Sequence, residues 1–192
     1  MTVHGLVDSL YVKELAKKTH RGLEGKVLRG LHAGGRCYGY SSVPTSDGVR
    51  LEINENEAKV VNRIFEMSAS GYSLKAIAKT LNTDGVRSPR PRAGKRYASW
   101  CPTAIQAMLR RELYAGKLVW NRSRFVKAPG TNKRLRRARP PNEWRTTERP
   151  ELRIVSDSLW QRVRQRLAWT RKSMASKLDP ASLIGQHPAR TC

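Results

Sequence analysis

Ser73-Leu-Lys-Ala-Ile-Ala-Lys-Thr-Leu-Asn82 is the run on which the fold class turns. Leu74, Ile77, Ala78 and Leu81 recur three and four residues apart, which lines them along one face of a helix. Ser73 stands just before them as an N-cap, a position where a hydroxyl accepts from an orphan first-turn amide. Asp84-Gly85 closes the segment. Upstream, Asn54 with Glu57 makes a capping-box-like start to a helix carrying Val61, Ile64, Phe65 and Ser68 on one face, stopped by Gly71. Downstream, another helix starts after Pro102, with Thr103 and Gln106 as a second capping box. Its Ile105, Met108 and Leu109 face inward, leaving Gln106, Arg110 and Arg111 more exposed. The helices at 73–82 and 103–112 invite a helix-turn-helix reading in which the second is the reader. That motif has a turn of about 3–4 residues. The connection here is far longer, so spacing alone is a weak signal.

The flanks add short strands and two more helices. Residues from about 5 to 33 read as one long basic helix. Leu6, Leu10, Leu15, Leu23, Val27 and Leu31 recur at roughly helical spacing, and the Gly34-Gly35 pair ends it. Gly22, Gly25 and Gly30 weaken its second half by roughly 1 kcal/mol each relative to Ala. Residues 36–53 look like a strand pair turning at Ser46-Asp47-Gly48. Leu118 to Val126 has strand character, and 127–150 is basic, Pro-rich, and looped or hairpin-like. Ile154 and Val155 precede a last amphipathic helix, about Asp157 to Lys172, with Trp160, Val163 and Leu167 on one face. Residues 86–97 form a Pro- and Arg-rich loop. The fold class is therefore α+β and mainly α-helical, with a long N-terminal helix and short β-strands.

Charge narrows the function. The 192 residues carry 38 Lys and Arg against 15 Asp and Glu, a formal net charge of +23. Self-repulsion on this scale is tolerable when a polyanion supplies the counter-charge. Nucleic acid comes first, because neutralising phosphates releases condensed counterions. An anionic membrane surface comes second, but no apolar run approaches the roughly 20 residues of a spanning helix. The N-terminus lacks the basic start and apolar core of a signal peptide, so a cytoplasmic, nucleoid-associated location is expected. The basic residues fall in the first helix, at 87–96 and at 122–139. Tyr38, Tyr40, Tyr97, Trp100, Tyr114, Trp120 and Phe125 interleave with them.

Catalytic constellations are poor. Cys37, Cys101 and Cys192 are widely spaced and form no Cys-x-x-Cys pair, so no metal or other cofactor is expected. His4, His20, His32 and His187 have no carboxylate or serine partner at a recognised spacing and read as solvated or phosphate-facing. No P-loop, Gly-x-Ser-x-Gly or His-Glu-x-x-His occurs.

Several stretches together resemble one family. Lys17-Lys-Thr-His-Arg-Gly-Leu-Glu-Gly-Lys-Val-Leu-Arg-Gly30, followed by Gly34-Gly-Arg-Cys-Tyr-Gly-Tyr40, resembles the junction between catalytic and recombinase domains in large serine recombinases. Asn54-Glu-Asn-Glu-Ala-Lys-Val-Val61 and Gly71-Tyr-Ser-Leu-Lys-Ala-Ile-Ala-Lys-Thr-Leu-Asn82 are similar to the helices that follow. So are Leu109-Arg-Arg-Glu-Leu-Tyr-Ala-Gly116, Leu118-Val-Trp-Asn-Arg122, Trp144 and Pro150-Glu-Leu-Arg-Ile-Val-Ser-Asp-Ser-Leu-Trp160 to later segments. The resemblance covers roughly residues 6–170 and rests on order and spacing together.

It implies a linker helix over 1–35, a DNA-binding recombinase domain over 36–172 and an unstructured tail over 173–192. It implies sequence-directed binding of double-stranded DNA in site-specific recombination. Lys17, Lys18, Arg21, Lys26 and Arg29 would follow the minor groove and its phosphates from the linker helix. Thr103, Gln106, Arg110 and Arg111 would sit at the major groove, where Arg can read guanine and Gln adenine. Arg122 and Arg124 would contact phosphates. The family's Tyr-x-Arg-x-Ser nucleophile segment and zinc-ribbon cysteines have no counterpart here, so strand cleavage by this chain alone is not expected. A second copy of the chain, or an intact recombinase, is the expected protein partner. Two rival readings share the charge: an RNA-binding basic structural protein, and a non-catalytic remnant or regulator occupying recombination sites.

Overall fold

The computed structural model describes residues 3–89, 99–131 and 133–177. The expected loop at 86–97 lies outside the described residues from 90 onward, with Tyr97, as does the tail beyond 177, with His187 and Cys192. The chain is α+β and mainly helical. The described residues form five α-helices and six strands, the strands in three two-stranded antiparallel sheets. They fall into two compact units, residues 1–61 with 111–154 and residues 62–110 with 155–192.

The first unit opens with α1 (Val3–Leu28). It stops before the expected Gly34-Gly35 pair. Gly30 is left-handed at φ 76°, and the amides of Gly30 and Leu31 return to the carbonyls of Val27 and Lys26 at 2.9 and 2.8 Å. That closure satisfies two carbonyls the helix end would otherwise orphan. The expected apolar stripe divides. Val27 and Leu31 are buried, whereas Leu10 and Leu15 are exposed. The spacing from Leu10 to Leu15 slips round the helix, and residues 10–19 are exposed on every side. The second half docks within the unit. The His20 ring lies 4.9 Å from that of Trp120, and Glu24 accepts from Arg145 Nε at 2.6 Å.

Strands β1 (Tyr40–Thr45) and β2 (Gly48–Ile53) pair from Tyr40 opposite Ile53 to Thr45 opposite Gly48. The expected turn at 46–48 is where they join. Helix α2 (Glu55–Ala69) follows. Asn54 Oδ1 accepts the Glu57 amide at 3.2 Å, but the box is only half made. Glu57 Oε2 accepts instead from the Gly39 amide at 2.7 Å, and the Asn54 amide donates to the Gly39 carbonyl at 3.0 Å.

Gly39 sits where a side chain has no room. Its φ is +93°, and a Cβ there would lie 3.0 Å from Ile154 Cδ1 and 3.3 Å from Val61 Cγ2. The tyrosines on either side therefore enter the core. The Tyr40 hydroxyl lies 2.7 Å from the Leu152 carbonyl and 3.1 Å from that of Leu113, and Tyr114 donates to the Tyr38 carbonyl at 2.9 Å. The Tyr40 and Tyr114 rings stack with centroids 5.9 Å apart.

The single strand expected at 118–126 is two strands in separate sheets. β3 (Lys117–Trp120) and β4 (Ser123–Lys127) part at Asn121, whose φ of 66° turns the chain. β4 pairs with β5 (Arg134–Ala138), and β3 pairs with β6 (Arg145–Glu148).

The second unit is helical. It holds the later turns of α2 together with α3 (Leu74–Thr83), α4 (Pro102–Leu109) and α5 (Asp157–Lys177), which runs past the expected Lys172. Ser73 caps α3 as expected, accepting the Ala76 amide at 3.1 Å. The second capping box does not form. Cys101 occupies the N-cap, its side chain not capping a first-turn amide, and Pro102 begins the helix. Proline suits the first helical position, because its missing N–H is one the helix leaves unpaired there. Thr103 consequently sits inside the first turn. The α3 stripe of Ile77, Ala78 and Leu81 is buried with Ile105, Met108 and Leu109 of α4. Phe65 and Trp160 stack at 5.7 Å, and Val163 of α5 is fully buried.

Candidate nucleic-acid interface

In the second unit, α3 and α4 pack against each other despite the long connection between them. The reason is a fastening at its ends. Asn82 Nδ2 donates to the Trp100 carbonyl at 3.0 Å, and the Trp100 amide donates to Asn82 Oδ1 at 2.7 Å. The Trp100 indole N–H reaches the Val86 carbonyl at 3.0 Å. The chain therefore leaves at Val86 and returns at Trp100 to nearly the same place. The two helices can meet as if the connection were short.

With Ile105, Met108 and Leu109 turned inward, α4 shows the opposite face. Thr103, Ala107 and Arg110 are exposed and Gln106 is half-buried. These positions are spaced i, i+3, i+4 and i+7, which is one side of a helix. Thr103 Oγ1 lies 3.1 Å from Cys101 Sγ. Arg110 forms the C-cap.

Arg111 does not share that face. The helix ends at Leu109, and Arg111 is extended at ψ 110° as the chain enters a 3-10 turn over Glu112–Ala115. Its Nη1 donates to Cys37 Sγ at 2.8 Å within the first unit. Burial pushes the Cys37 thiol up, against the pull of the Arg111 guanidinium. Burial, with the Glu57 carboxylate adding to it, pushes the Tyr38 phenol up to about 12. Arg111 is thus a half-buried neighbour of the tyrosine cluster.

The first unit carries the remaining basic candidates. Lys17, Lys18, Arg21 and Lys26 are exposed on α1, and Arg29 is exposed just beyond its end. Lys18 pairs with Glu14 at 3.0 Å, and Arg29 Nε donates to the Gly25 carbonyl at 3.3 Å. Arg122 is held in place, its guanidinium 4.7 Å from the Trp144 ring centre and 3.6 Å from Glu112 Oε2. Arg124 is exposed on β4. Two histidines expected to be solvated or phosphate-facing are structural instead: His20 packs on Trp120, and His32 Nε2 lies 2.6 Å from the Gly35 carbonyl.

Sequence reasoning passed over the partners of Arg124. On β5, Arg134, Arg136 and Arg137 are exposed, and Arg124 stands opposite Arg137 as Lys127 does opposite Arg134. Like charges directly opposite in an antiparallel pair are unfavourable, by roughly 0.2–1 kcal/mol each. The signal was present as Pro129-Gly130 between two runs of alternating basic residues.

Among the described residues, no cluster of three or more His, Cys, Asp or Glu could hold a metal ion. No helix there is long and apolar enough to cross a membrane.

Comparison with known proteins agrees with this architecture. Similar solved structures include a crystal structure of an LSR–DNA complex, with a TM-score of 0.54 and 18% identity over 81% of this chain and 39% of that one. Another comes from work on the sequence requirements of the Listeria innocua prophage attP site, with a TM-score of 0.51 and 21% identity over 85% of this chain and 58% of that one. The chain therefore spans about two-fifths to three-fifths of the length of these two. Among curated proteins no sequence matches significantly. The family model described as Recombinase matches residues 55–170, well over half of the sequence and including α2 to α4, and the chain belongs to that family.

Proposed function

We propose that this chain recognises duplex DNA for site-specific recombination, as the sequence-reading part of a serine recombinase. One observation carries the reading: α4 shows Thr103, Gln106 and Arg110 on one face, on a helix braced from behind by α3. An α-helix fits the major groove, where Arg pairs with guanine and Gln with adenine. The exposed Lys17, Lys18, Arg21 and Lys26 of α1, with Arg29 just beyond it, supply phosphate contacts, with residues 1–35 as a linker helix and 36–172 as the recognition domain. Arg124 joins them. Arg122 contributes by holding the start of β4 rather than by reaching out, given its place against Trp144. The partner is double-stranded DNA, and the chain's task is to place a recombinase on its site.

Selection from a random duplex pool at about physiological salt tests this, since weak electrostatic binding is suppressed there. Enrichment of a motif is the expected result. Binding without enrichment, or stronger binding to folded RNA than to any duplex, overturns the reading.

A further inference from the structure

The hairpin of β4 and β5 differs chemically from the rest of the first unit. Between Glu112 and Glu143 the sequence has no acidic residue, yet it holds nine Lys and Arg. Those near the base are neutralised within the fold. Lys117 pairs with Glu148 at 3.4 Å, Arg122 with Glu112 at 3.6 Å, and Arg139 with Glu143. On the ribbon itself, Arg124, Lys127, Lys133, Arg134 and Arg137 enter no ion pair among the described residues.

The register then distributes this charge. Side chains alternate between the faces of a strand. Arg124, Val126, Leu135 and Arg137 share one face, and Phe125, Lys127, Arg134 and Arg136 share the other. Every one of these residues is exposed, Phe125 by 68%. Neither face has a core to pack on, and an isolated two-stranded hairpin is marginal in water. A ribbon lying flat along one strand of phosphates would match only half of this charge. A groove with a phosphate wall on either side matches both halves.

We propose that the β4–β5 ribbon stands on edge in the major groove of duplex DNA, each face turned to one phosphate wall. This rests on the duplex-binding reading above. The dimensions agree, since the major groove, about 12 Å wide, admits a two-stranded β-ribbon. The minor groove, about 6 Å wide, does not admit it.

The test compares the full chain with two double variants, Arg124→Gln with Arg137→Gln for one face and Lys127→Gln with Arg134→Gln for the other. Duplex affinity is measured from low to moderate salt, with guanine N7 methylation protection on the bound duplex. Each double variant should lower the salt slope by about 2. The unaltered chain should protect N7 positions that both variants leave open. Thermal melts should be unchanged or raised, because each change removes a like-charge pair. If only one face matters, the ribbon lies flat and the groove placement is wrong. If neither matters while the unaltered chain binds, the ribbon is not a contact and the duplex-binding reading stands. If the unaltered chain binds no duplex, both fall.

Discussion

Asn82 and Trp100 hold each other through two hydrogen bonds, amide to carbonyl in each direction. Asn82 follows the buried Leu81 near the end of α3, and Trp100 is the last residue but one before α4. The pair sets where α4 begins. Asn82→Ala should lower stability by about 1–2 kcal/mol, the scale for two hydrogen bonds to backbone of which one group remains buried. Asn82→Asp keeps the acceptor and loses the donor, so it should fall between. Thermal or denaturant unfolding checks both, and an unchanged midpoint for Asn82→Ala would show that α4 is placed by its apolar face alone.

Arg110 and Arg111 are neighbours in sequence with separate fates. Arg110→Ala should leave the melting temperature in place and cost roughly 1–3 kcal/mol of discrimination between duplexes if it reads a base. Arg111→Ala should destabilise the first unit, because it leaves the Cys37 side of the tyrosine cluster without its donor. Unfolding curves and binding isotherms on both variants separate the two roles. A stable Arg111→Ala chain with altered preference would reverse this assignment.

Two glycines should respond in opposite directions to alanine. Gly39→Ala forces a left-handed residue and a Cβ about to touch Ile154, and should cost about 1–3 kcal/mol. Gly22 lies in α1 with nothing within 4 Å of a added Cβ. Gly22→Ala should therefore raise helix content and stability by up to about 1 kcal/mol, read by circular dichroism. Loss of duplex binding on that change would mean that the helix backbone approaches the DNA closely at this point.

Stability should fall on the alkaline side. The Tyr38 phenol is pushed up to about 12 in the fold, against about 10 unfolded. The folded chain prefers the neutral phenol, so this contribution is complete below about pH 10 and is lost as pH rises toward 12. Cys37, Tyr40 and Tyr114 are pushed up by burial in the same direction. Melting temperatures should hold level near neutrality and then decline as the pH rises. A profile flat to about pH 11 would mean that water reaches the cluster.

The helices were legible because their signals are local. Leu74, Ile77, Ala78 and Leu81 declare α3, and Ser73 marks its start. The sheet arrangement was not, since nothing near Asn121 in sequence says that β3 will pair with a strand beginning at Arg145. The site divided in the same way. Thr103, Gln106 and Arg110 follow from helical spacing once Ile105, Met108 and Leu109 are turned inward. Arg111 looked equivalent to Arg110, and only the end of the helix at Leu109, with a thiol 74 positions earlier in the chain, separates them. Arg122 had the same fate through Trp144. The opposition of Arg124 to Arg137 depends on a register that composition cannot supply.

The closure of Val86 onto the Trp100 indole has an evolutionary side. Because the two ends of the intervening segment are fastened to each other, its length is uncoupled from the position of α4. Residues can be gained, lost or exchanged between them without shifting the register of the helix. Lineages can therefore vary this segment while keeping α4 in place.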